Sequence, residues 1–288
     1  MIRKLIIIVY LLLGATALMA QYVVADSNSK EPLPYATIVF PQYRQGVYTD
    51  SYGRFVLPSQ YTAKDSLSVQ MLGYHTKNVL IAELNDTVYL EEKAYELPSL
   101  TVRPQDRKTI TIGELKAKSK GNFGVDTIFI PVIIAIHIPN ENHEDCYIEK
   151  LHFKYSPQNK GFSYMVRPQL YEVGSDGKPA NSLLNKSSAK TLSEKGGILE
   201  IDVSGEFIVF PKNGVFVGLE IIEEIKTNKK IKTDIPKIAI SVIPLIANTR
   251  KITTCASRLN NIEWTIVFNV PEFGPLTAPF GLSLQCPK

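Results

Sequence analysis

Residues 31–57, EPLPYATIVFPQYRQGVYTDSYGRFVL, restrict what this chain can fold into more than any other stretch. Pro32 and Pro34 bracket Leu33 and impose an extended entry, since proline fixes its own φ and pushes the residue before it out of the helical region. Residues 35–40 then alternate, with Ala36, Ile38 and Phe40 on one face at the period of two that marks a strand. Asp50, Ser51, Tyr52 and Gly53 make a tight turn, in which Asp hydrogen-bonds its own backbone and Gly supplies φ > 0. Phe55 to Leu57 returns to apolar. Two strands joined by a polar hairpin begin a β fold, and nothing nearby sustains a helical period.

The same pattern fills residues 21–103. Short apolar runs at 22–25, 47–49, 66–71, 79–81, 88–90 and 100–102 are separated by turns, and Leu67, Val69 and Met71 alternate inward. Six or seven short strands at this spacing predict a β-sandwich. Four motifs carry a family resemblance: Pro32-Leu33-Pro34-Tyr35-Ala36-Thr37, Thr49-Asp50-Ser51-Tyr52-Gly53-Arg54-Phe55, Leu72-Gly73-Tyr74 and Leu97-Pro98-Ser99-Leu100-Thr101-Val102. In this order they resemble the carboxypeptidase-regulatory-like domain of exported Bacteroidetes proteins. The resemblance implies a transthyretin-like seven-stranded sandwich over the N-terminal third, and a non-catalytic accessory module. A zinc carboxypeptidase site needs two His and a Glu on the metal, and none of the four His residues, His75, His137, His143 and His152, heads a His-x-x-Glu.

Residues 104–108 (PQDRK) are charged, contain proline and read as a linker. Beyond them, residues 109–288 hold eight or nine further strands. The apolar run at 127–138 is dominated by Ile and Val and is too short to cross a membrane, so it reads as a strand buried on both faces or bent at Pro131. The whole is predicted to be all-β: two tandem sandwiches, the second jelly-roll-like.

Residues 1–20 have the parts of a secretory leader: Arg3 and Lys4, an apolar run at 5–13, and small residues before Gln21. The expectation is an exported chain with no membrane span after cleavage, in the periplasm or on the outer-membrane surface of a Gram-negative bacterium. Export permits a disulfide. Of Cys146, Cys255 and Cys286, the two late ones, Cys255 and Cys286, are the expected pair. The 32 basic residues against 28 acidic give no electrostatic reason to expect nucleic acid.

Chemistry is sparse. The polar cluster at 141–146 matches no zinc or calcium loop and reads as a solvated turn, so neither metal nor cofactor is expected. No Gly-x-Ser-x-Gly and no phosphate-cradling loop occurs. Glu223-Glu224 could serve glycoside cleavage only with another acid facing it. No catalytic residue is assigned. Trp264, the only Trp, and Tyr171 are candidate sugar-stacking residues, with Trp264 set against a core role. Asp65-Ser66, Asp86-Thr87 and Asp126-Thr127 begin tripeptides that resemble O-glycan acceptors, which makes Ser66, Thr87 and Thr127 candidates; each Asp could equally open a strand. The function expected is a non-catalytic envelope module whose partner is another envelope protein or, alternatively, a glycan. A hydrolase with an unrecognised site ranks last.

Overall fold

The computed structural model describes residues 21–94, 106–116, 121–126, 132–141, 145–156, 161–186, 189–226, 237–244, 253–258, 263–266, 269–270 and 274–288. The expected leader at 1–20 and the expected strand at 100–102 lie outside them. The fold is all-β, with short 3-10 turns and no α-helix among the described residues. Among the described residues no helix is long and apolar enough to cross a membrane. The chain divides into two compact units, Met1–Glu92 and Lys93–Lys288.

The described residues of the first unit form seven strands: β1 (Gln21–Asp26), β2 (Thr37–Phe40), β3 (Gln45–Tyr48), β4 (Arg54–Val56), β5 (Ser66–Gln70), β6 (Lys77–Leu80) and β7 (Thr87–Leu90). They form a three-stranded sheet, β4-β1-β7, and a four-stranded sheet, β3-β2-β5-β6. One core joins the two. Val24, Phe55, Val88 and Leu90 come from the first sheet; Ile38, Phe40, Leu67 and Val69 come from the second. Each such side chain stabilises the fold by roughly 1.5–3 kcal/mol when fully buried. The Asp50–Gly53 turn carries the chain from one sheet to the other. Asp50 Oδ1 accepts from the N–H of Tyr52 (2.8 Å) and Arg54 (2.9 Å). Gly53 has φ +72°, and a Cβ there would lie 2.9 Å from the Val24 carbonyl, so no side chain fits.

The second unit contains β8 (Arg107–Gly113), β9 (Gly121–Asp126), β10 (Val132–Ile138), β11 (Tyr147–Tyr155), β12 (Phe162–Val173), β13 (Pro179–Ser182), β14 (Lys190–Thr191), β15 (Gly197–Asp202), β16 (Val215–Lys226), β17 (Lys237–Pro244), β18 (Thr254–Arg258), β19 (Glu263–Ile266), β20 (Asn269–Val270), β21 (Gly274–Thr277) and β22 (Phe280–Pro287). Its largest sheet runs β13-β12-β16-β10-β18-β19, with β14 also on β12. A second runs β15-β11-β22-β8 and a third β20-β21-β17-β9. β10 is buried on both faces, as its Ile-rich run requires: Ile134 and Ile136 face one way, Ile133 and Ala135 the other. Strand β8 begins at Arg107, so Arg107 and Lys108, read as linker from composition, already pair with Pro287 and Cys286.

The disulfide corrects the sequence expectation. Cys146 bonds Cys286, and Cys255 is a buried free thiol. The reason is register. β11 and β22 pair antiparallel with Tyr147 opposite Gln285, which brings Cys146 and Cys286 side by side with Cα atoms 4.3 Å apart. Cys255 sits on β18 in the other sheet, opposite Ala135 and Ile266. Nearness in sequence is no guide to pairing when strands from the two ends of a unit are neighbours.

The disulfide closes a loop across a separation of 140 residues. Replacing both Cys146 and Cys286 by Ala is expected to lower unfolding free energy by about 2–5 kcal/mol, mostly by freeing the unfolded chain. Urea unfolding of the variant and the oxidised parent measures the loss; Cys255→Ala is expected to leave that linkage intact.

Candidate functional site

The outer face of the β15-β11-β22-β8 sheet carries the best candidate. Its inner face is apolar, with Leu151 and Phe153 of β11 and Phe280, Leu282 and Leu284 of β22 all buried. Alternate residues must therefore point outward, and register sets them in rows. One row is Tyr147, Gln285 and Thr109; the next is Asp202, Lys150, Ser283 and Thr111; a third is Glu200, His152, Gly281 and Gly113.

At the first row the face opens into a groove of about 180 Å³, lined by Arg107, Tyr147, Glu149, Phe207 and Gln285 among others. After β15 the chain makes a single 3-10 turn, Ser204–Glu206, and Phe207 ends it at φ 51°, ψ 40°. A bulky residue in the left-handed region is uncommon and marks an imposed geometry. Here the imposition is visible: the Glu206 carboxylate accepts from the N–H of Asn185 and Lys186, and the Asp202 carboxylate accepts from the Ser204 N–H. The turn is tied down on both sides, and the Phe207 ring is left 44% exposed at the rim. The next residues rejoin β11, where the Ile148 N–H donates to the Ile208 carbonyl.

Arg107 forms the opposite wall. Its guanidinium lies 4.6 Å above the Tyr147 ring centroid, and Nη1 donates to the carbonyls of Gln285 (3.2 Å) and Asp145 (3.4 Å). Its remaining N–H groups have no partner among the described residues. Nor is there an ion pair between Arg107 and Glu149, a residue that lines the same groove. The groove therefore offers a ring face, a half-buried cation and a carboxylate that do not neutralise one another.

The far end of the face is closed. Leu115 lies over Gly281, where a Cβ would come within 2.9 Å of it. Beside it runs a hydrogen-bonded chain. The Thr111 hydroxyl is 3.2 Å from Ser283 Oγ; Ser283 Oγ is 2.7 Å from His152 Nε2; His152 Nδ1 is 3.3 Å from Glu200 Oε1. With Nδ1–H donating to the carboxylate, Nε2 accepts from Ser283. Carboxylate, imidazole and hydroxyl in this order also form a nucleophilic relay. Ser283 is only 5% exposed and its hydroxyl is engaged on both sides, so the chain satisfies buried polar groups and leaves no approach for a substrate carbonyl. Burial holds the His152 pKa below its usual value, against the opposing pull of Glu200.

The residues singled out from sequence lie elsewhere, and two of them need correction. Trp264 (9% exposed) and Tyr171 (1%) are core, packed edge to face at 5.4 Å with Ile133, Ala135, Phe216 and Cys255 around them. Both alternate onto the covered face of the largest sheet, so neither ring can stack on a sugar. Burial also pushes the Cys255 thiol up to about 11, which makes it inert. On the same face Glu220 accepts from Arg167 Nε (3.3 Å) and Gln169 Nε2 (2.8 Å), a buried ion pair in the sheet.

Asp65 behaves as a strand-opening Asp: its carboxylate accepts from the Thr62 N–H (2.7 Å), and Ser66 Oγ lies 2.8 Å from the Gln42 amide. Thr87 opens β7 opposite Val23. Thr127, and residues 142–144 of the polar cluster, lie outside the described residues. Glu223 and Glu224 are successive strand residues and point to opposite faces. No cluster of His, Cys, Asp and Glu suited to a metal occurs among the described residues. Sequence reasoning missed the groove because its parts, Arg107, Tyr147, Phe207 and Gln285, are scattered along the chain. Of these, only Phe207, apolar beside the turn residues Ser204 and Gly205, left a local trace.

Residues 23–102 match the model of the CarboxypepD_reg-like domain, so the resemblance read from the four motifs holds for the N-terminal part. No curated protein matches the chain. Among solved structures it is similar to the cysteine protease and lectin-like domains of Cwp84, a surface-layer-associated protein of Clostridium difficile. That likeness has 14% identity and a TM-score of 0.41, and covers 92% of this chain and 55% of that one. It is also similar to infectious bursal disease virus Gx strain at 10% identity and a TM-score of 0.25, over 84% of this chain and 47% of that one. The chain spans about half the length of these solved chains.

Two outcomes follow from these placements. Trp264→Ala is expected to cost about 3–5 kcal/mol, the range for emptying a large aromatic site, read by far-UV circular dichroism during unfolding. Because the folded-state pKa of His152 lies below its unfolded value of about 6.5, the unfolded chain binds more protons as pH falls. Stability is then full above that value and declines below it. His152→Gln, which keeps a polar side chain, is expected to flatten the decline between pH 7 and pH 5 in denaturant titrations.

Proposed function

We propose that this chain is an exported, non-catalytic binding protein of a bacterial envelope, and that its second unit holds a glycan in the groove between Arg107 and Phe207. The observation that carries the reading is Arg107 and Glu149 lining one groove beside an exposed ring, with no ion pair between the two among the described residues. An anionic ligand is repelled by the carboxylate and a cationic one by the guanidinium. A neutral ligand whose hydroxyls both donate and accept satisfies the two at once, and the flat apolar face of a sugar ring covers Phe207. This favours the glycan over the protein partner that the sequence put first.

Export is supported by the leader-like residues 1–20 and by the Cys146–Cys286 bond, which belongs to an oxidising compartment. The periplasm or outer-membrane surface is the proposed location. A protein-docking role remains the second reading, for the first unit. It is favoured by Tyr52, 67% exposed beside Arg54 and followed on β4 by the exposed Val56.

The chain from Gln21 onward, applied to immobilised β-glucan, xylan, mannan and peptidoglycan, is expected to bind at least one of them. Phe207→Ala is expected to weaken that binding by about tenfold with the unfolding midpoint little changed. Absence of binding to any of the four, or binding indifferent to Phe207, refutes the glycan reading. A photo-crosslinker at Tyr52 that captures one envelope protein in intact cells supports the docking role.

A further inference from the structure

The groove does not end at Arg107. β8 is an edge strand of its sheet, and Arg107, Thr109 and Thr111 alternate onto the same outer face. Thr109 and Thr111 are both exposed. Their hydroxyls are held from the side by residues of β22: Gln285 Nε2 donates to Thr109 Oγ1 (2.8 Å), and Ser283 Oγ lies 3.2 Å from Thr111 Oγ1. Gln285 itself lines the groove, so the groove and the first threonine share a hydrogen-bonded side chain.

The row then stops. Gly113 has φ +106°, and a Cβ there would lie 2.6 Å from the Phe280 carbonyl. Leu115 covers the neighbouring Gly281. From Arg107 to Thr111 is four residues of strand, about 13 Å, more than one sugar ring spans.

We infer that the ligand is a linear, neutral polysaccharide bound along its chain: one sugar sits in the groove, and the next run beside Thr109 and Thr111 to the stop at Leu115. This rests on the glycan reading and names its ligand class, an internal stretch of polymer in place of a terminal sugar. Thr109 and Thr111 are themselves uncharged, which fits the absence of net charge that the groove already selects. The lateral bonds from Gln285 and Ser283 fix both hydroxyls before the ligand arrives, so little side-chain freedom is lost on binding. Thr109 and Thr111 are then the residues that determine preference for length.

The test is a titration of the chain from Gln21 onward with laminari-, xylo-, manno- and chito-oligosaccharides of one, three and six units. The hexamer of the preferred series is expected to bind about tenfold more tightly than the monomer, the gain from two added hydrogen bonds. Thr109→Val with Thr111→Val keeps shape and strand propensity and removes only the hydroxyls. It is expected to abolish the gain of the hexamer over the monomer. If monomer and hexamer bind equally, and Phe207→Ala weakens both, the extended track is wrong and the groove reading stands. If the length gain survives in the valine variant, the threonines are not the track and the inference fails. If no member of the four series binds, the inference and the glycan reading fall together.

Discussion

The pairing of β11 with β22 is the constraint on which the second unit depends. It joins residues near the start of the unit to its last residues, places Cys146 beside Cys286, and sets Tyr147 against Gln285 at the mouth of the groove. β8 then adds to the free edge of β22 and brings Arg107 over Tyr147. Contacts this distant in sequence carry the full entropy of loop closure. The covalent bond at the end of the pairing lowers that cost by restricting the unfolded chain. The disulfide and the groove are thus consequences of one register: a slip of one residue would turn Tyr147 inward and Cys146 outward together.

Burial sorts the aromatic side chains into two groups with different uses. Tyr171 and Trp264 lie on one face of the largest sheet, edge to face with each other and packed with Ile133, Ala135, Phe216 and Cys255. Phe207 is held out by a turn whose backbone is tied through Asp202 and Glu206. Its position owes nothing to the apolar core and much to polar side chains that fix the loop.

Much of the fold was legible from period and turn chemistry. The inward residues read at 36, 38 and 40 are all buried, the turn at Asp50 has its expected glycine conformation, and the Ile-rich run is a doubly buried strand. What local reading could not supply was which strands are neighbours. Choosing Cys255 for Cys286 was an argument from separation along the chain, and sheet order overrode it. The same gap explains the misplaced site. A lone Trp in an alternating strand gives no sign of which face is covered, because the cover comes from β12 and β16, about 40–100 residues earlier. Arg107 was assigned to a linker by its charged neighbours, although its alternation with Thr109 and Thr111 already suited an edge strand.

The two ends of the outer face differ because of two glycines and a threonine row. At Gly281 and Gly113 the sheet lacks side chains, and Leu115 settles into the space, which buries His152 and Ser283 and turns their polar atoms toward one another. A carboxylate–imidazole–hydroxyl sequence arises there as a means of satisfying buried groups. Two residues along β8 and β22 the positions are Thr111 and Ser283, level with Lys150, and two further on they are Thr109 and Gln285, level with Tyr147 across a bulge in β11. The same strands thus produce a closed hydrogen-bonded patch and an open one, and the switch between them is whether a side chain or a glycine occupies the outward position.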